Sequence, residues 1–176
     1  RQRQMCIRDR ENGIYISFDP NYRDTLIKDY MLDQFVSECI EFLKVCNFAK
    51  LSDEELTLIT KEKDLDIGVK KLHELGVKVV TITIGSKGTY LSVQGENSII
   101  PSINIKQVDS TGAGDAFVGA VLKKVAEIKD KKSITVEEWK NIISFANKVG
   151  AITCTNYGAI PSIPTLDEIE VYFDGV

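Results

Sequence analysis

"DSTGAGDAF", residues 109–117, sets two glycines and two aspartates in one short stretch. The segment before it is strand-like, and the one after it is helix-like. Downstream, Ala116, Phe117, Ala120, Val121 and Val125 recur at helical spacing and form one apolar stripe. Ser110 or Thr111 is then expected to cap that helix. The first-turn amides, from about Gly112 to Asp115, have no intrahelical acceptors and make an anion site reinforced by the helix dipole. Gly112 and Gly114 let an anion reach the backbone with no Cβ in the way. Asp115 in the same turn works against simple anion binding. A carboxylate beside such donors suits phosphoryl transfer, where a base takes the proton of an attacking hydroxyl. A capped helix with a harmless first-turn aspartate explains the stretch equally well, and on local grounds both readings stay open. The stretch is neither a P-loop, lacking G-K-[ST], nor a G-x-G-x-x-G dinucleotide fingerprint.

Upstream, strands and helices alternate from Gly13 onward. "GIYISFD" (13–19) reads as a strand closed by Asp19-Pro20-Asn21, and residues 24–44 read as a helix. "VCNFAKL" (45–51) is a second strand. Ser52 and Glu55 form a capping box for a helix over 53–60, and a further helix over about 65–75 stops at Gly76. "VKVVTITIG" (77–85) is nearly all apolar and β-branched, as expected of a strand covered on both faces. "GTYLSVQ" and "SIIPSINI" form an antiparallel pair turning at Gly95-Glu96-Asn97. Helices over roughly 113–129 and 135–154 and a short helix from Leu166 complete the chain. The alternation predicts a parallel sheet between helices, with ligands outside the carboxyl ends of the strands. Asp19, Lys50 and Gly85 fall at three such ends.

The chain has 176 residues, enough for one domain, with 43% hydrophobic and 27% charged residues and a net charge of -4. That balance offers no basic patch for nucleic acid or an anionic membrane, and no apolar run spans a bilayer. No secretory signal pattern opens the chain. Cys6, Cys39, Cys46 and Cys154 form no C-x-x-C pair, and His73 is the single histidine, so neither zinc nor a disulfide framework is expected. The cysteines read as packing residues in a reducing cytoplasm, and His73 as a solvated residue.

"RQRQMCIRDR" (1–10) carries four arginines without apolar periodicity. It is similar to translated sequencing-adapter DNA, and is expected to be non-native or disordered; a natural basic arm is the alternative. Residues 11–176 are then the protein proper, cut upstream.

"DSTGAGDAFVGA" closely resembles the C-terminal signature of the ribokinase-like (PfkB) carbohydrate kinases. "SFDPNYR" (17–23), "AKLSDEEL" (49–56), "TIGSKG" (83–88) and "GAIPSIPT" (158–165) resemble further segments of that family in the same order. The first and last look most like fructokinases, with 2-keto-3-deoxygluconate kinases sharing much of the pattern. The resemblance implies a ribokinase-like three-layer α/β/α fold with a mostly parallel sheet. It also implies that the family's N-terminal strands, its sugar contacts and its β-lid, often the dimer surface, are missing here. The chain then corresponds to the nucleotide-binding and catalytic part.

By this resemblance Asp115 is the general base, and the amides of Gly112, Ala113 and Gly114 form the anion hole. Thr83, Gly85, Ser86 and Gly88 lie against the nucleotide, Asn147 lies near the adenine, and Arg23 reaches the sugar or phosphate. Asp109, Thr111, Thr153, Asn156, Gly158 and Ser162 occupy the places of a monovalent cation site, usually potassium. The family's N-x-x-E motif is matched to Lys50-Leu51-Ser52-Asp53, with Lys50 near the nucleotide. Its magnesium-associated acidic role is thereby divided among Asp53, Glu54 and Glu55. The expected reaction is ATP- and Mg2+-dependent phosphorylation of a sugar, fructose first, with 2-keto-3-deoxygluconate or another small sugar or nucleoside as alternatives. A non-catalytic nucleotide- or sugar-binding regulator on the same fold is the alternative of another class.

Overall fold

A computed structural model of the chain describes residues 2–174. It is an α/β protein with one five-stranded sheet in the order β1-β2-β3-β4-β5. The strands are β1 (Ser17–Phe18), β2 (Phe48–Ser52), β3 (Val79–Thr83), β4 (Thr89–Val93) and β5 (Glu96–Ile100). The helices are α1 (Gln2–Glu11), α2 (Leu32–Leu43), α3 (Asp53–Thr60), α4 (Leu65–Leu75), α5 (Ala113–Glu127), α6 (Val136–Thr153) and α7 (Leu166–Asp174). β1 pairs parallel with β2, and β2 with β3, in a register that sets Lys50 opposite Thr81 and Ser52 opposite Thr83. The chain divides into two compact units, Arg1–Ile84 with Tyr90–Ser98, and Gly85–Thr89 with Ile99–Val176.

In the first unit, β2 and β3 are buried along nearly their whole length, which explains why both are written in continuous apolar and β-branched residues. Ala49, Leu51, Val80 and Ile82 pack with Leu43 of α2, Leu56 of α3 and Leu72 of α4 into one core. The Ser52–Glu55 capping box fixes the start of α3, and Gly76, at φ 114°, ends α4. In the second unit, α5 and α6 pack along each other and α6 meets α7. Phe117, Val121 and Val125 of α5, and Trp139, Ile143 and Ala146 of α6, are all buried.

Several boundaries differ from expectation. Residues 2–11 form α1, which contacts α2. The Arg10 guanidinium donates to the Lys44 carbonyl. β1 is only two residues long, because the Asn47 side chain accepts the Ile16 N–H while the Ile16 carbonyl takes the amides of Asn47 and Phe48. The expected 24–44 helix forms only from Leu32, after a short 3-10 turn at Asp29–Met31. Leu26 and Tyr30 remain exposed, so the apolar pattern there has no surface to pack against. The β4–β5 turn is Gln94-Gly95, at φ 54° and 82°, the positive pair that a two-residue hairpin needs. His73, expected to be solvated, is half-buried and bonded through both ring nitrogens.

Candidate active site

The loop before α5 is built by Asp109. Its Oδ1 accepts the Thr111 amide at 2.9 Å and the Thr111 hydroxyl at 2.7 Å, and its Oδ2 accepts the Gly158 amide at 2.9 Å. These bonds hold its carboxyl below the usual carboxylate range, the Thr111 hydroxyl contributing most. The amides of Val108 and Asp109 both donate to the Cys154 carbonyl just after α6. The 108–112 loop is thereby tied at several points to the 154–162 loop.

That arrangement delivers the chain to α5 through Gly112, which caps the helix in the left-handed region at φ 80° with no side-chain cap. The expected Ser110 or Thr111 cap is therefore corrected. Thr111 spends its hydroxyl on Asp109, and a side chain at the capping position would collide with Ala159, whose Cβ lies 2.6 Å from where a Cβ of Gly112 would stand. Of the first-turn amides, Ala113 donates to the Ser110 carbonyl, while helix geometry leaves those of Gly114 and Asp115 without intrahelical acceptors. The Asp115 side chain is exposed in that same turn. Gly150 of α6 lets the two helices approach here: a Cβ on it would stand 3.2 Å from the Ala113 carbonyl oxygen. Neither Gly150 nor Ala159 was singled out from the sequence. The glycine inside an otherwise regular helix was the available signal.

Of the remaining expected cation residues, Asn156 and Ser162 lie on the 154–162 loop and Thr153 is the last residue of α6. The Thr153 hydroxyl bonds the Val149 carbonyl inside α6, and the Ser162 hydroxyl bonds the Tyr157 carbonyl, while Asn156 is exposed. This donor set is oxygen throughout, as a hard cation requires.

Gly85 opens a 3-10 turn, Gly85–Lys87, at φ 60° with open space where a Cβ would be, and Ser86 beside it is exposed. Gly88 is different: a Cβ there would lie 2.1 Å from the Ile100 carbonyl oxygen, so its role is close backbone packing. Asn147 is buried, accepting the Thr89 hydroxyl at 2.6 Å and donating to the carbonyls of Ile100 and Pro101. Its amide is a clamp between α6 and the segments around Thr89 and Ile100.

In the first unit, the carboxyl ends of β1, β2 and β3 carry Asp19, Ser52 and Thr83. Lys50 is buried within β2, not at its end, and its ammonium lies 3.2 Å from Asp19. Burial raises the Asp19 carboxyl above its ordinary range; Lys50 opposes that shift and Glu55 adds to it. Glu55 is buried, taking the Ser52 and Tyr22 amides at 2.7 Å each, whereas Asp53 and Glu54 are exposed on the first turn of α3. Of the three acids, Glu55 is thus the one built into the framework. Arg23, next to the tethered Tyr22, is exposed with a local bond to the Tyr22 carbonyl. Thr83 donates to the Leu51 carbonyl. No three His, Cys, Asp or Glu side chains converge on a metal position among the described residues.

No helix among the described residues is long and apolar enough to cross a membrane. Burial pushes the Cys39 and Cys46 thiols up to about 12, as suits packing residues.

The chain is 36% identical to fructokinase-1 of Zea mays over 162 residues, covering 91% of this chain and 49% of that one. Fructokinase from Vibrio cholerae O395, in a fructose-, ADP- and potassium-bound form, superposes with a TM-score of 0.87 at 25% identity, covering 96% of this chain and 53% of that one. Aminoimidazole riboside kinase from Salmonella enterica gives a TM-score of 0.86 at 26% identity, over 97% of this chain and 56% of that one. The chain thus spans about half the length of the curated relatives it matches. The model of the pfkB family carbohydrate kinases matches residues 3–166, and the chain belongs to that family.

Proposed function

We propose that this chain is the nucleotide-binding and catalytic portion of an ATP-dependent sugar kinase whose acceptor is fructose. The observation that carries the reading is the first turn of α5, where backbone donors and the exposed carboxylate of Asp115 share one helix start. In this reading the acceptor hydroxyl attacks the terminal phosphorus of ATP. Its proton passes to Asp115 as the new O–P bond forms and the bond to the ADP oxygen breaks. Of the expected anion-hole amides, those of Gly112 and Gly114 would face the charge on the transferring group with the α5 dipole behind them, while that of Ala113 would first have to leave the Ser110 carbonyl. Gly85 and Ser86 are assigned to the nucleotide on their open backbone, Thr83 at the end of β3 and Lys50 within β2 are assigned to it as well, and Asn147 supports the adenine side through the segments it clamps. Arg23, exposed, is assigned to the sugar or phosphate edge.

A potassium ion would be held by oxygens of Asp109, Thr111, Thr153, Asn156, Gly158 and Ser162, and would stiffen the loop before α5. Asp53 and Glu54 would be the acids nearest in role to a magnesium ion, which would neutralise phosphate charge when bound with the nucleotide. The free cysteines suit a cytoplasmic protein. A nucleoside acceptor is the second reading, favoured by the likeness to aminoimidazole riboside kinase.

The test uses the full-length gene product with ATP, Mg2+ and either fructose or aminoimidazole riboside. Asp115→Asn is expected to cut turnover by about 100-fold or more while ADP binding by calorimetry is kept. Undiminished turnover would refute the base assignment, and turnover of the riboside alone would replace fructose.

A further inference from the structure

Residues 19–23, which follow β1, are fastened more heavily than an exposed loop requires. Asp19 Oδ1 accepts the Asn21 amide at 3.0 Å, and Asp19 Oδ2 lies 3.2 Å from the ammonium of the buried Lys50. Asn21 stands in the left-handed region at φ 49°, a conformation that a residue other than glycine keeps only where its surroundings impose it. The Tyr22 amide donates to Glu55 Oε1 at 2.7 Å, and the Tyr22 ring lies 5.5 Å from that of Phe35 on α2. The Arg23 carbonyl then accepts the amides of Leu26 and Ile27 at 3.0 Å each. All of these groups belong to the first unit.

The backbone of Arg23 is thus fixed on both sides. Its guanidinium remains exposed, with one bond to the Tyr22 carbonyl at 3.3 Å. A rigid stem beneath an exposed, planar fork of donors suits a group that must meet an anion in one orientation. Glu55 does most to set that stem. It is 5% exposed, and its two oxygens have different tasks. Oε2 accepts the Ser52 amide and completes the cap of α3, while Oε1 accepts the Tyr22 amide from thirty-three positions away. One carboxylate therefore couples the start of α3 to the loop that carries Arg23.

We propose that Glu55 is a positioning residue for Arg23, holding the 19–23 loop so that the guanidinium meets substrate in a fixed orientation. The inference rests on the kinase reading, in which Arg23 serves the sugar or phosphate edge. Both oxygens of Glu55 are engaged by amides, unlike those of the exposed Asp53 and Glu54 on the same turn. Its contribution therefore runs through the loop and not through a metal ion.

The test is a kinetic comparison in the full-length gene product with ATP, Mg2+ and fructose. Arg23→Ala identifies which constant depends on the guanidinium: kcat, or the KM of one substrate. Glu55→Gln keeps the side chain's volume, but its NH2 can only donate, so it serves one amide where the carboxylate serves two. The cap closes over three positions and the tether over thirty-three, so the variant is expected to keep the cap and release Tyr22. It is expected to move the same constant as Arg23→Ala, by about 10- to 100-fold. The double variant is expected to be no worse than Arg23→Ala alone. Amide exchange at Tyr22 should quicken while that of β2 stays as in the wild type. Phe35→Ala removes the other anchor of Tyr22 and is expected to move the same constant by about 2- to 10-fold; it decides the matter if Glu55→Gln does not fold.

A folded Glu55→Gln protein with wild-type constants, or a defect that multiplies with that of Arg23→Ala, overturns the inference and leaves the kinase reading standing. A defect restored by raising Mg2+ also overturns it, making Glu55 a metal-associated acid. Wild-type constants in Arg23→Ala remove Arg23 from the site, and the inference with it. A wild-type protein that phosphorylates neither fructose nor aminoimidazole riboside fails the kinase reading itself, and both fall.

Discussion

Asp109 accepts the backbone amide of Gly158 at 2.9 Å across forty-nine positions of sequence, while the other oxygen of the same carboxylate holds Thr111. One side chain thus braces both loops that flank the start of α5. Asp109→Ala is expected to leave the helices intact and loosen the loops. If the kinase reading holds, it lowers kcat/KM by about 10- to 100-fold, as loss of a supporting bond does at a metal or anion site. The bracing is present above the ordinary aspartate value and is lost as pH falls through the lowered folded one. Amide exchange of residues 155–162 in the wild type should therefore rise at low pH, and in Asp109→Ala should already be fast at neutral pH.

Gly112 meets two demands at once, a positive φ and van der Waals contact with Ala159. Gly112→Ala is expected to cost about 1–2 kcal/mol for the left-handed backbone alone and about 1–3 kcal/mol more for the collision. Adding Ala159→Gly relieves the collision and leaves the backbone strain. Urea unfolding of the single and double variants measures both parts. A double variant no more stable than Gly112→Ala would show that the contact with Ala159 is loose.

Elements of this fold were legible wherever periodicity and capping agreed. Val79–Thr83 reads as a buried strand because no polar residue interrupts it but threonine, and α3 and α4 carry their caps in Ser52, Glu55 and Gly76. The 24–31 stretch misled because apolar spacing says nothing about whether a surface awaits it, and Leu26 and Tyr30 face solvent. At the candidate site, the motif around Asp115 was readable, but its partners were not. Ala159, the Cys154 carbonyl and Gly150 act through backbone approach, which leaves almost no mark on residue type. Glu55 was legible as a cap, and its second bond, to the Tyr22 amide, depends on tertiary placement. His73 was misjudged for the same reason: its partners Ser92 and Val77 come from other elements.

The Asp19–Lys50 pair supplies the last test. Both side chains are largely withdrawn from water, and burial outweighs the attraction of Lys50 in setting the Asp19 carboxyl, which is raised. An acid raised in this way leaves the folded chain most favoured below the ordinary value of about 3.9, and stability declines as pH rises through the folded value. Removing the partner with Lys50→Met strands the carboxylate. The variant is expected to lose about 3–5 kcal/mol at neutral pH and much less at about pH 4, where Asp19 is protonated without difficulty. The loss should therefore grow with pH, a direction opposite to acid destabilisation. Urea unfolding of wild type and Lys50→Met at about pH 4.5, 6 and 7.5 reads it directly. A penalty independent of pH would mean that Lys50 acts through the packing of its methylene stem on β2, and not through its charge.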